Sequence, residues 1–270
     1  MPEGDTIFLA AAELRTHLLG RTVLAAQATG RAQVGRLVGA TIESIETVGK
    51  NLVIHCSNGL SVRTHLRMTG RWRRFPAGER WQRPPARPAL VLKVQGSTVV
   101  CFDAPVVEVF ATRAQALHPG LAPLGPDLLD PGFDPELAVA RFRATDQDRT
   151  IGEALLDQRL VAGVGNVFRS EILFIERTDP FGSLARLPDT ALERLIATAR
   201  RLLLANVRPG RPAGRTTTEG AREAAGSPVW VYRRGGRPCR RCGTPIRVAA
   251  LGRELPRFVW WCPRCQAPSG

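Results

Sequence analysis

Four cysteines in the last part of the chain have the residue type and spacing of a metal site. Cys239 and Cys242 are separated by two residues, as are Cys262 and Cys265, and 19 residues lie between the two pairs. Four thiolates at this spacing bind Zn²⁺ in a closed tetrahedron. A domain of about 40 residues around these cysteines buries too little apolar surface to fold alone, so the metal would supply folding free energy. We predict one structural zinc ion.

The sequence between the two cysteine pairs predicts a β-hairpin. The run from Arg253 to Trp261 would present Arg257 at its turn. The planar guanidinium of arginine suits a phosphate group, although a solvated surface arginine is the alternative. Trp260 and Trp261 either stack on a ligand or pack around the metal.

A glycine-rich segment in the middle of the chain predicts a second anion site. Residues 157–174 have the pattern of a helix, a glycine-rich turn and a second helix that starts near Asn166. The free N–H groups and the dipole at a helix start favour an anion such as phosphate. The alternative is an ordinary helical hairpin with glycine caps.

The start of the chain could supply a nucleophile. If Met1 is removed, Pro2 carries a secondary amine, and an α-amine with a pKa of about 7.7–8 is partly neutral near pH 7. Attack of this amine on an aldehyde carbon gives a cationic iminium, which is an electron sink. The adjacent Glu3 could move protons. The alternative is a frayed terminus without a function.

The elements that would position these residues fall into two classes. A helix is predicted from about Asp5 to Leu19, capped by Asp5 or Thr6 and ended by Gly20. Strand-like runs then follow at 41–45, 52–55, 61–64, 89–94 and 98–102, with turn signals at Asn58-Gly59 and Gln95-Gly96. They predict an antiparallel sandwich or barrel. Residues 135–206 have a helical pattern. The composition of residues 208–228 predicts a loop.

We therefore expect an α+β multidomain protein with four segments. These are an N-terminal domain of residues 1–120, a linker of residues 121–135, a helical domain of residues 136–227 and a cysteine-containing domain of residues 228–270. Cys56 and Cys101 lie in strand-like runs and are expected in the core.

The charge of the chain points to a polyanionic partner. The 270 residues include 38 basic and 24 acidic side chains, for a net charge of +14. Nucleic acid is the commonest partner for such a charge, and a genome biased toward arginine is the alternative, since Lys50 and Lys93 are the only lysines. No apolar run is long enough to span a membrane and no secretory signal is visible, so we expect a cytoplasmic protein.

Four features in this order resemble the Fpg/Nei family of DNA glycosylases with β-elimination lyase activity. They are Pro2-Glu3-Gly4, Gly49-Lys50-Asn51-Leu52, the segment 161–174 and the four-cysteine finger that ends at Gln266. The resemblance covers essentially the whole chain. It implies an N-terminal helix with an antiparallel β-sandwich, a helix-two-turn-helix domain and a C-terminal zinc-finger β-hairpin.

The resemblance also implies a role for each site residue. Pro2 looks like the nucleophile that attacks C1′ of a damaged nucleotide, and Glu3 looks like its acid/base partner. Lys50 looks like a phosphate-binding lysine of the catalytic domain. Asn166 and Arg257 look like groups that hold the backbone phosphates around the lesion. We expect a monomer that acts on damaged DNA and cleaves the strand by β/δ-elimination.

The segment His65–Gly70 resembles the part of the family that fills the gap left by a flipped base. Met68, with Arg67, is the candidate wedge, and a core methionine in a hairpin is the alternative. Residues 102–108 have no arginine where members that act on 8-oxoguanine present Arg-Arg-Phe. The segment 208–228 is also short for the purine-capping loop of those members. Both departures favour the Nei (endonuclease VIII) branch and oxidised pyrimidines.

Two other functions stay open at the level of the sequence. Thr6 stands where many family members have glutamate, which leaves a damaged- or abasic-DNA-binding protein with lyase-only or no catalytic activity as one alternative. A non-catalytic binder of RNA or ribosomes, built from a zinc ribbon and a helical hairpin, is the other.

Overall fold

The chain divides into two compact units, Met1–Pro123 and Leu124–Gly270. The computed structural model describes residues 2–76, 78–79, 87–210, 214–218, 229–252 and 256–268. The division falls inside the predicted linker of residues 121–135. Most of the predicted loop 208–228 and the predicted boundary at 227/228 lie outside the described residues.

The first unit begins with helix α1, Gly4–Leu18. Its core face consists of apolar side chains at helical spacing, namely Ile7, Ala11, Leu14 and Leu18, all of which are buried. Gly20, at φ +70°, follows the end of the helix as predicted, in a conformation that favours glycine.

The predicted cap of α1 was wrong. The N-cap residue is Glu3, in extended conformation, and neither Asp5 nor Thr6 holds that position. Asp5 already lies within the first turn, where its carboxylate accepts a hydrogen bond from the backbone N–H of Thr6 at 2.7 Å.

Two four-stranded antiparallel sheets follow α1. The strands are β1 (Ala25–Ala28), β2 (Ile42–Val48), β3 (Asn51–Cys56), β4 (Leu60–His65), β5 (Arg71–Pro76), β6 (Pro88–Val94), β7 (Ser97–Phe102) and β8 (Val106–Ala111). One sheet has the order β2-β3-β4-β8 and the other β1-β6-β7-β5. A single hydrophobic core contains side chains of α1 and of both sheets, which confirms the predicted sandwich.

The predicted turn signals close two hairpins of these sheets. Gly59 joins β3 to β4 at φ +75°, and Gly96 joins β6 to β7 at φ +80°. Cys56 and Cys101 are buried in the core, as predicted. The register of β6 sends Leu90 and Leu92 into the main core and Val91 to the opposite face.

The second unit is helical and ends in a hairpin. It contains α2 (Pro135–Arg143), α3 (Ile151–Ala154), α4 (Asn166–Ile175) and α5 (Asp189–Val207), followed by the antiparallel strands β9 (Arg247–Leu251) and β10 (Arg257–Trp261). The hairpin between the cysteine pairs is therefore confirmed. None of the helices that the structure describes is both long and apolar enough to cross a membrane.

The helix before the glycine-rich turn lies earlier in the chain than predicted. Residues 157–161 are not helical, and the preceding helix α3 ends at Ala154. Gln158 explains the difference, because its side-chain amide donates to the carbonyl oxygens of Leu156 and Val164 and holds the segment as an irregular turn.

Candidate functional site

The predicted nucleophile and its acid/base partner lie at the first turn of α1. Pro2 is half-buried, while the side chain of Glu3 is completely buried. The carbonyl oxygen of Glu3 accepts a hydrogen bond from the N–H of Ile7 at 3.1 Å. Glu3 is therefore part of the start of the helix, and its buried side chain belongs to the residue directly after Pro2.

Lys50 occupies a two-residue turn between β2 and β3. Val48 and Asn51 are paired across the turn, and Gly49 adopts φ +60°, which favours glycine. Lys50 is half-buried and Asn51 is buried. The turn thus presents the lysine from the end of a sheet rather than from an irregular loop.

The proposed wedge lies in the turn that follows β4. Met68 is 50% exposed, so the alternative of a core methionine is wrong. Arg67 is exposed and has φ +50°, a strained conformation for a side chain of this kind. Gly70 closes the turn, because a Cβ atom there would lie 2.6 Å from the carbonyl oxygen of Leu66.

His65, which the motif alone did not single out, is a neutral hydrogen-bond acceptor in this turn. Burial, together with the positive charges of Arg67, Arg63 and Lys50, lowers the pKa of His65 to about 4. Its Nδ1 accepts a hydrogen bond from the backbone N–H of Arg67 at 3.1 Å, so the ring proton lies on Nε2. The motif HLRMTG contains this residue, but only the fold shows the surrounding cations.

In the second unit, Asn166 is the first residue of α4, as predicted. Its side-chain amide nitrogen donates to the carbonyl oxygen of Phe258, at 2.9 Å. The buried Arg169 donates to the side-chain oxygen of Asn166 and, at 2.8 Å, to the carbonyl of Phe258. The start of α4 and strand β10 are therefore joined by hydrogen bonds.

Arg257 is the first residue of β10 and is exposed. Its carbonyl oxygen lies 3.4 Å from the Arg169 guanidinium. The structure therefore brings Asn166 and Arg257 into one hydrogen-bonded cluster through Arg169. Sequence reasoning gave Arg169 no role, since nothing local distinguishes a buried arginine from an exposed one.

The four cysteines form one cluster whose dimensions fit a zinc ion. Their sulfur atoms all lie within 4.8 Å of one another, with 3.9 Å between Cys239 and Cys265 and 3.4 Å between Cys242 and Cys262. A tetrahedral site with Zn–S bonds of about 2.3 Å requires S–S distances of about 3.8 Å. The cluster can therefore hold a metal ion.

Neighbouring groups support the cluster in the manner expected of a metal site. The backbone N–H groups of Arg241 and Cys265 each donate to a cysteine sulfur at 3.4 Å. Gln266 accepts from the N–H of Cys262 and donates to the carbonyl of Thr178, each at 2.9 Å. Trp260 packs against the cluster, whereas Trp261 contacts Phe181 edge to face.

Comparisons with known proteins agree with this architecture. The family model described as the formamidopyrimidine-DNA glycosylase N-terminal domain matches residues 1–105, and the one described as its H2TH domain matches residues 124–218. The chain is 42% identical to a probable endonuclease 8 2 of Streptomyces coelicolor, over 99% of this chain and 94% of the relative. It is 38% identical to the DNA-(apurinic or apyrimidinic site) lyase Nei2 of Mycolicibacterium smegmatis, over the full length of both.

A solved structure shows the same fold. Lactococcus lactis Fpg in complex with DNA that contains N7-benzyl-Fapy-dG superposes with a TM-score of 0.82 at 24% identity, over 99% of this chain and 100% of that one. The order of sandwich, helical unit and cysteine hairpin is thus shared along the whole chain. The protein belongs to the Fpg/Nei family of DNA glycosylases and AP lyases, as its sequence motifs predicted.

Proposed function

We propose that this protein is a bifunctional DNA glycosylase and AP lyase of base excision repair that removes oxidised pyrimidines. The observation that carries the proposal is the chain start, where half-buried Pro2 and buried Glu3 directly precede α1. A secondary amine beside a buried carboxyl group suits covalent catalysis at a sugar carbon. Full-length similarity to an AP lyase supports the same chemistry.

In the proposed reaction the Pro2 nitrogen, freed by removal of Met1, attacks C1′ of the damaged nucleotide. The bond to the base breaks, the base leaves with a proton, and Glu3 protonates the sugar oxygen as the ring opens. The resulting iminium withdraws electrons from C2′. Loss of the C2′ proton then expels the 3′ phosphate, and a further elimination expels the 5′ phosphate. Water finally hydrolyses the iminium and regenerates the amine.

The remaining site residues would hold the DNA. Lys50 lies in the hydrogen-bonded turn between β2 and β3 and would bind a backbone phosphate of the lesion nucleotide. Asn166 and Arg257, joined through Arg169, would bind phosphates next to the lesion. Exposed Met68, with Arg67, would fill the gap in the stack after the nucleotide is flipped.

Zinc would be the metal of the cysteine cluster. Four thiolates without a carboxylate or an open position match a structural zinc site. The ion would stabilise the β9–β10 hairpin and so hold Arg257 at the start of β10. It takes no part in the chemistry.

The preference for oxidised pyrimidines rests on the segment between β7 and β8. Residues 102–108 contain no arginine, and Asp103 adopts φ +52° in the turn. No cation in this segment can therefore take the place of the arginine pair expected of members that act on 8-oxoguanine. Two relatives with the name endonuclease 8 2 or Nei2 support the same branch.

One departure favours a second candidate function, a lyase-only protein or a binder of abasic DNA. Thr6 replaces the glutamate of many family members, and its hydroxyl donates to Asp5 at 3.2 Å. The site therefore has one carboxyl group fewer at this position, which would slow base excision more than strand cleavage at an abasic site.

Borohydride trapping tests the proposal. Protein whose N-terminal proline is verified by mass spectrometry is mixed with DNA that carries an abasic site or an oxidised pyrimidine. Covalent adducts with both substrates are expected, and Pro2→Gly should lose them while DNA binding stays. An adduct with the abasic site alone would favour the lyase-only candidate.

Controls separate catalysis from folding in this experiment. Glu3→Gln should lower the rate of adduct formation with base-containing DNA by about 10²-fold or more, the scale of general acid–base catalysis. The matched change Glu13→Gln, on the exposed side of the same helix, should leave the rate unchanged. Absence of any adduct with the verified wild-type protein would refute the enzymatic function.

A further inference from the structure

An ionic cluster centred on the buried side chain of Arg63 adjoins the turn that carries Lys50 in the first unit. The side chain of Arg63, on β4, is only 10% exposed. Its Nε donates to the side-chain oxygen of Asn51 at 2.9 Å, and its Nη1 lies 2.5 Å from a carboxylate oxygen of Glu108 on β8. One guanidinium thus bridges β3 and β8.

Asn51 transmits this contact to the lysine turn. Its side-chain nitrogen donates to the carbonyl oxygen of Val48 at 2.9 Å, across the two residues Gly49 and Lys50. Arg63 donates a hydrogen bond to the oxygen of the same amide, so the amide is held with its nitrogen facing Val48. The orientation of the hydrogen bond that closes the Lys50 turn therefore depends on Arg63.

The loop after β8 completes the cluster. His118 lies 3.4 Å from the Glu108 carboxylate, and its Nδ1 accepts from the N–H of Gly120 at 3.1 Å. A Cβ atom on Gly120 would lie 2.4 Å from the nearest guanidinium nitrogen of Arg63. Only glycine at this position leaves the space that the guanidinium fills.

The pair of Arg63 with Glu108 is expected to add little to stability. The Glu108 carboxylate is 46% exposed, and burying the Arg63 guanidinium costs desolvation energy. A cluster that fixes the direction of one amide instead defines the geometry of the turn it closes.

We propose that Arg63 is a positioning residue for Lys50, acting through the side-chain amide of Asn51 and anchored by Glu108. The proposal rests on the proposed function, since it assumes that Lys50 contacts a DNA phosphate. Arg63 itself touches no DNA in this account. It sets where the Lys50 ammonium group is presented, so the protein binds one phosphate more tightly than an unrestrained turn would.

A double-mutant cycle tests the proposal. Arg63→Lys keeps the positive charge, but an ammonium group cannot bridge Asn51 and Glu108 as the planar fork does. The affinity for duplex DNA with a tetrahydrofuran abasic analogue is measured over a range of salt concentrations. We expect a loss of about fivefold and a decrease of about 0.9 in the slope of log K against log salt, the value for one lost phosphate contact.

The effect of Arg63→Lys is then measured in Lys50→Ala protein, which gives the decisive comparison. In Lys50→Ala protein, the further change Arg63→Lys should cause no additional loss, because the contact that it positions is already absent. Glu46→Gln is the matched control, since Glu46 pairs with His55 at 2.9 Å in the same sheet. It should leave the affinity and the salt slope unchanged in either background.

Three further variants address the cluster without changing Arg63. Gly120→Ala displaces the guanidinium by steric contact, and Glu108→Gln keeps a hydrogen-bond acceptor and should restore part of the affinity lost in Glu108→Ala. Folding of each variant is checked by thermal unfolding. The proposal would be overturned if the affinity loss of Lys50→Ala and that of folded Arg63→Lys or Gly120→Ala added fully in the double mutant. It would also be overturned if folded Arg63→Lys and Gly120→Ala kept the wild-type affinity and salt slope.

This result is separable from the proposed function. Failure of wild-type protein to trap DNA would refute the enzyme, whereas the cycle is measured on noncovalent binding. Trapping by the wild type together with additive losses would refute only the role of Arg63.

Discussion

The guanidinium of Arg169 donates to the carbonyl oxygen of Phe258 at 2.8 Å, across 89 positions of the sequence. The same side chain also bonds to Asn166 and to the carbonyl of Gly152. A single buried arginine therefore connects α3, the start of α4 and strand β10. The predicted phosphate contacts Asn166 and Arg257 share this connection, which gives the first prediction.

Replacing Arg169 should destabilise the second unit. Arg169→Met removes the hydrogen bonds to Gly152, Asn166 and Phe258, and we expect the free energy of unfolding to fall by about 2–4 kcal/mol. Urea denaturation measures the loss. The control Arg194→Met removes an exposed arginine that lies 3.7 Å from Glu176, so its effect should stay below about 0.5 kcal/mol. Equal effects of the two changes would contradict the connecting role.

Removing the metal should unfold the hairpin and weaken DNA binding. Metal analysis should find one zinc ion per chain, and Cys239→Ser or a chelator should remove it and lower the affinity for DNA. The control is Cys56→Ala, because burial raises the pKa of the Cys56 thiol to about 11 and it lies in the core of the first unit. This variant should keep its zinc. Unchanged DNA affinity after loss of zinc would argue against the phosphate contact of Arg257.

Shortening Met68 should affect catalysis on duplex DNA more than stability. Met68 is half exposed, so Met68→Ala should change the free energy of unfolding by less than about 0.5 kcal/mol. Loss of the wedge should reduce kcat/KM for a base lesion in duplex by about tenfold, since unstacking costs a few kcal/mol. Cleavage of a single-stranded abasic site should change little. Leu117→Ala, at an 82% exposed position, is the control. Equal losses on duplex and single-stranded DNA would refute the wedge.

The neutral state of His65 should make stability depend on pH. Its pKa lies near 4 in the folded chain, below the ordinary value of about 6.5. Between these values the unfolded chain binds more protons, so stability is full above pH 6.5 and decreases as the pH falls toward 4. Urea denaturation at several pH values should show this decrease weakened in His65→Gln. A pH dependence identical to that of the wild type would mean that His65 titrates normally.

The sequence predicted the parts of the fold that depend on local signals. Asn58-Gly59 placed the β3–β4 hairpin because an asparagine-glycine pair strongly favours such a turn. The strands β1, β5 and β8 were missed. Ala25–Ala28 has little β-propensity, and Arg71–Pro76 contains three arginines and a proline, so neither stands out until β6 and β7 pair with them.

The candidate site shows the same difference between local and long-range signals. Pro2, Lys50, Asn166 and the cysteines were predicted as site residues from motifs, because their neighbours in the sequence carry the signal. The sequence did not predict the long-range contacts of Arg63 and Arg169. Arg63 reaches Glu108 across 45 positions, and Arg169 reaches Phe258 across 89, so both contacts arise only when distant strands and helices pack.

Gly70 limits how the neighbouring turn can vary. Because any side chain there would collide with the Leu66 carbonyl at 2.6 Å, substitutions at this position cannot be used to retune the turn. Diversification, in nature or by directed evolution, must act on Arg67, Met68 and Thr69, which are all exposed. A library confined to these three codons would vary the exposed side chains of the turn and leave Gly70 unchanged.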